Sequence, residues 1–99
     1  MFNDLGRIIA TRSIAEEIKN KDFCDFINKS MNRYVSEDWG ELCAEDINAN
    51  NSCMKNAGRI FASYDIPEEA RSDSIYDNNI YIITEWDRSA TTILFSSEY

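Results

Sequence analysis

Ninety-nine residues predict a single domain over 1–99, able to bury roughly two thirds of its unfolded surface around one core without disulfide staples. Eighteen acids against ten bases leave a net charge of −8, which repels phosphate and removes the usual electrostatic term of direct DNA or RNA binding. The same field attracts basic surfaces, including those built to hold nucleic acid, and it also serves plain solubility.

The N-terminal residues Phe2-Asn3-Asp4-Leu5 are mixed in character, with neither a signal-peptide pattern nor an apolar run long enough to span a bilayer. That predicts a cytoplasmic protein with no membrane contact, a compartment that suits three cysteines lacking any CxxC spacing. After Gly6, a short apolar run predicts a strand over 7–11. Ser13-Ile14-Ala15-Glu16 has the form of a capping box and predicts a helix start, with Asp22 able to cap a second segment after 19–21. Phe23, Phe26, Ile27, Met31, Tyr34 and Val35 then draw one apolar stripe on a helix. Gly40 permits a turn, with Trp39 beside it to fill the core. A third helix is predicted over 44–57, with Ile47 and Met54 on one face and Gly58 where a C-terminal cap belongs.

A strand over 59–64 follows, then a turn led by Pro67. The last eighteen residues carry the clearest signal. Two β-branched runs, 80–84 and 90–95, flank a short polar stretch and predict an antiparallel hairpin. The fold class expected is α+β: a small antiparallel sheet of about four strands with two or three helices on one face. Ile8, Phe26, Ile27, Ile47, Ile60, Ile82 and Ile93 are the expected core, with Trp39 at least half buried.

Four local patterns resemble one family. They are Leu5-Gly6 with Ala10-Thr11; Asp38-Trp39-Gly40-Glu41-Leu42 with Asp46 and Asn50; Arg59 with Ser63-Tyr64; and a C-terminal set. That set is Ile83-Thr84-Glu85, Asp87-Arg88-Ser89, Thr91-Thr92-Ile93-Leu94 and Glu98-Tyr99. Together they resemble the small proteins labelled "plasmid related protein" in bacterial, plasmid and phage genomes. Arg33-Tyr34 and Glu37 stand where such proteins commonly carry an Arg-His pair and a Gly. The resemblance implies a small compact fold and residence on mobile elements, and it brings no activity with it.

The chain contains no histidine, so Ser-His and Cys-His nucleophile pairs and His-containing metal sites are excluded. Glu85 and Asp87 share a face if the strand runs through both, as a carboxylate pair would; the plainer expectation is a turn in which Asp87 accepts backbone hydrogen bonds and Arg88 pairs with an acid. Asp46-x-Asn48-x-Asn50 begins like a calcium loop but lacks Gly at the sixth position and Glu at the twelfth. Cys24, Cys43 and Cys53 with an acid make a zinc set of poor spacing, against burial as ordinary small side chains. No cofactor or metal is expected.

The acidic run stands out. Over 34–54 there is no Lys or Arg, and Glu37, Asp38, Glu41, Glu45 and Asp46 all fall there. At helical spacing Asp38, Glu41 and Glu45 would line one face, an unfavourable arrangement unless something basic covers it. The functional expectation is a non-enzymatic acidic protein of a mobile element. It would bind the basic surface of a nucleic-acid-handling host defence protein through these five residues and inhibit it, in the anti-CRISPR or anti-restriction manner. The alternatives are an accessory interaction domain whose charge serves solubility and, further off, a metal-binding protein using cysteines and carboxylates.

Overall fold

The computed structural model describes residue 2, residues 4–55 without the Lys55 side chain, and residues 58–99. In chain order the elements are β1 (Arg7–Ala10), α1 (Arg12–Glu17), α2 (Lys21–Val35), α3 (Ala44–Lys55), β2 (Ile60–Asp65), β3 (Asn79–Thr84) and β4 (Ala90–Phe95). Single 3-10 turns occupy Glu68–Ala70, behind Pro67, and Ser96–Glu98. The class is α+β.

The two C-terminal β-branched runs pair antiparallel, with Ile82 opposite Ile93, and β2 pairs antiparallel on the other side of β3. Strand order is β1-β4-β3-β2. Alternation then places Ile60, Ala62 and Tyr64, Ile80, Ile82 and Thr84, and Thr91, Ile93 and Phe95 on one buried face. Helices α1 and α2 supply the other half of the core through Ile14, Phe23, Ile27 and Tyr34, and Trp39 is 3% exposed among them. On the opposite face Phe61, Tyr81 and Tyr99 stack edge to face, with Phe61 and Tyr81 centroids 4.7 Å apart.

The sheet is mixed, whereas a purely antiparallel one was expected: β1 runs parallel to β4, with Ile8 beside Thr91. β1 points so that the chain leaves Thr11 into α1 over the core. Gly6 makes the approach possible. It sits at φ 63, and a Cβ there would collide with the backbone of Arg88 and Ser89.

Three expected core positions differ outright or in degree. Ile8 is 57% exposed, because β1 is an edge strand and α1 packs chiefly on β4, leaving the outer strand uncovered. Phe26 and Ile47 only flank the core; Phe23 takes the central place on α2. The caps also differ. Thr11, not Ser13, accepts from the Ile14 amide, because β1 ends there and α1 begins one residue later. Asn20, not Asp22, caps α2 by accepting from the Asp22 amide at 3.0 Å. The expected end of the third helix at Ala57, on which a cap at Gly58 depends, lies outside the described residues.

One buried polar chain crosses the core. The Tyr34 hydroxyl lies 2.7 Å from Thr84 Oγ1, which lies 2.7 Å from Thr91 Oγ1, which donates to the Leu5 carbonyl at 2.7 Å. Each hydroxyl carries one proton. Because Thr91 gives its proton to Leu5, Thr84 donates to Thr91 and Tyr34 donates to Thr84. Burial pushes the Tyr34 phenol well above its ordinary range, which keeps it a donor.

Candidate interaction surface

The acidic run folds in two parts. Residues 36–43 are not helical, so Asp38, Glu41 and Glu45 do not line one helical face as expected. Two left-handed residues break the helix there: Glu37 at φ 65 and Gly40 at φ 77. Gly40 is required on a second count, since a Cβ would meet the Ser63 carbonyl of β2. Glu45 and Asp46 fall in the first turn of α3, where carboxylates favour the helix dipole. All five acids are exposed.

Asp38 and Glu41 are nevertheless committed inside the chain. Arg33, at the end of α2, donates to both Asp38 oxygens at 2.8 and 3.2 Å and lies 3.8 Å from Glu41. Its guanidinium sits 4.9 Å from the centroid of the Tyr64 ring. The second Asp38 oxygen also accepts from the Gly40 amide. Hydrogen bonding to Arg33 above all holds the Asp38 carboxyl below its usual range and raises Arg33 in turn. Burial pushes the Tyr64 phenol up, and its hydroxyl donates to the Asp38 carbonyl at 2.7 Å.

The run also seals the outer edge of β2. Asn50 of α3 pairs with the Phe61 backbone in both senses, donating to its carbonyl at 2.6 Å and accepting from its amide at 3.1 Å. Trp39 accepts from the Ser63 amide and the Glu41 amide donates to the Ser63 carbonyl. The Glu41 carboxylate accepts from the Asp65 amide at 3.0 Å. Residues 61, 63 and 65, whose polar groups face outward, are thus each occupied. A trace of this was present in the sequence: Asn50 lies on the Ile47–Met54 face of α3, and a polar group on a buried stripe requires a partner.

A second acidic surface comes from residues remote in sequence. A groove of about 270 Å³ is lined by Glu16, Glu17, Tyr76, Asp77 and Glu98 among others. Glu17 accepts from the Ser72 and Ser74 hydroxyls, Asp77 from Ser96 and Ser97, and Glu98 from Thr11 and the Phe95 amide. Sequence reading missed this surface because three segments far apart in the chain build it.

The remaining candidates do not come together. Asp87 accepts from the Ser89 amide, while Glu85 faces Arg59 at 3.7 Å. Arg88, expected to pair with an acid, instead donates to the carbonyls of Gly58 and Cys53 and lies over the Phe2 ring, which fastens the hairpin tip to the end of α3. Trp86 is left exposed at that tip. Asp46, Asn48 and Asn50 lie in a helix rather than a calcium loop. Among the described residues, no three Cys, Asp or Glu side chains are placed to hold a metal ion, and no helix is long and apolar enough to cross a membrane. No family model, no curated protein and no solved structure matches the chain.

Proposed function

We propose that this protein is a non-enzymatic acidic binder that occludes the basic, nucleic-acid-handling surface of a host defence protein, in the manner of anti-restriction and anti-CRISPR inhibitors. The observation that carries the reading is the exposed acidic run, Glu37, Asp38, Glu41, Glu45 and Asp46, in a stretch without a single Lys or Arg on a chain of net charge −8. The absence of histidine supports a role without chemistry. The resemblance to plasmid- and phage-borne proteins supports a host target. Arg33 fixes Asp38 and Glu41 in place, so part of the charged surface is ordered before any partner arrives.

A second reading, an accessory domain whose acids serve solubility and local structure, is favoured by the internal bonds of Asp38 and Glu41. The experiment that separates them uses tagged protein to capture partners from host lysate, followed by affinity measurement against salt. Association with a basic partner should weaken as salt rises. Glu45→Lys with Asp46→Lys, which spares the Arg33 cluster, should weaken it at least about tenfold, or about 1.4 kcal/mol. Unchanged affinity and salt dependence in that double variant would leave the accessory reading standing.

A further inference from the structure

Among the described residues the outer edge of β1 is open. The Arg7 amide donates to the carbonyl of Ser89, just before β4, and the Thr11 amide to that of Ile93 in β4, so in a parallel ladder the amides and carbonyls of Ile8 and Ala10 point away from the sheet. Among the described residues none bonds to them. Ile8 is 57% exposed and Ile9 40%, on opposite faces of the strand. Proteins ordinarily protect such an edge with Lys, Pro, a bulge or a covering loop. This chain does so on β2, with Asn50, Glu41 and the 39–41 backbone, and the described residues do not do so on β1.

We infer that β1 is a homodimer interface, joining two copies edge to edge into one continuous sheet about a two-fold axis at Ile9. The unsatisfied groups call for an extended backbone, and the strand is complementary to itself. In the antiparallel register centred on Ile9, the outward groups of Ile8 meet those of Ala10 of the second copy, and Ile9 meets its own equivalent on the face away from the helices. Arg7 falls opposite Thr11 and Gly6 opposite Arg12, so no like charges oppose directly, and Arg12 already pairs with Glu16 at 3.2 Å. Away from this edge each chain is strongly acidic, so the two copies repel at long range and the dimer tightens as salt screens them.

Sedimentation and light scattering of the full chain against concentration and salt test this. The expected result is a reversible species of twice the 11.5 kDa chain mass, favoured by raising salt from about 0.05 to about 0.5 M. Ile9→Lys sets two charges on the axis, and Ile8→Pro removes the outward amide without touching a bond inside the sheet. Each should raise the dissociation constant at least about tenfold. Amide exchange at Ile8 and Ala10 in the unaltered protein should slow as concentration rises, a readout that does not depend on either variant folding. A monomer at about 1 mM across that salt range, a dimer undiminished in both folded variants, or exchange at Ile8 and Ala10 independent of concentration would overturn the inference.

Discussion

The two edges of this sheet solve the same problem in opposite ways. On β2 every outward-facing residue is met, by an amide side chain from a helix, by a bridging loop backbone and by a carboxylate. On β1 the outward groups of Ile8 and Ala10 are met by nothing in the described chain. The difference shows that the acidic run is architecture as well as surface: Glu41 closes an edge through both its amide and its carboxylate, and Asp38 ties the loop to Arg33 and the Gly40 amide.

The largest effect should come from Gly40→Ala. It forces a side chain into the left-handed region and against the Ser63 carbonyl, and should cost about 2–5 kcal/mol in urea unfolding. A loss below half a kcal/mol would mean that the loop does not press on β2. Asn50→Ala should follow, at about 1–3 kcal/mol for each Phe61 group left without its partner, and hydrogen exchange should rise at the Phe61 amide ahead of its neighbours.

Asp38→Asn sharpens the comparison through pH. The folded carboxyl lies below its ordinary value, so its contribution is fully present above the ordinary carboxylate range and fades as pH falls through the folded value. Unfolding midpoints of Asp38→Asn and the unaltered protein should therefore differ at neutral pH and converge as the solution is acidified below the ordinary carboxylate range. A gap that persists in acid would show that the residue acts through shape rather than charge. The smallest effect belongs to the open edge. Ile8→Ser should change monomer stability by less than about half a kcal/mol, since the side chain is mostly in solvent. A loss above about 2 kcal/mol in dilute solution would place Ile8 in the core after all.

Local patterning made the C-terminal hairpin, the apolar stripe of α2 and the burial of Trp39 legible in advance. Period and turn chemistry act within a few residues, and these features are made there. Direction and edge position are not. Nothing in Arg7-Ile8-Ile9-Ala10 states that the strand will run parallel to β4 or lie outermost, and so Ile8 reads as core. Thr11 and Ser13 are equally able caps, and the end of β1 chooses between them. The acidic run misleads for a related reason. Asp38, Glu41 and Glu45 have helical spacing, but Gly40 must take a left-handed turn against β2, a partner more than twenty positions away. The groove at Glu17, Asp77 and Glu98 was beyond reach of any window along the chain.

The hydroxyl relay from Tyr34 to the Leu5 carbonyl has an arrow. Each proton points the same way, and the last acceptor belongs to the segment that leads into β1. Removing any one group leaves its donor upstream with nowhere to point, or its acceptor downstream with nothing to receive. Tyr34→Phe, Thr84→Val and Thr91→Val should therefore be strongly non-additive, with the pair Thr84→Val and Thr91→Val costing less than the two single losses summed. In that sense the N-terminal strand is wired to α2 by a single current of protons, and the three residues stand or fall as one circuit.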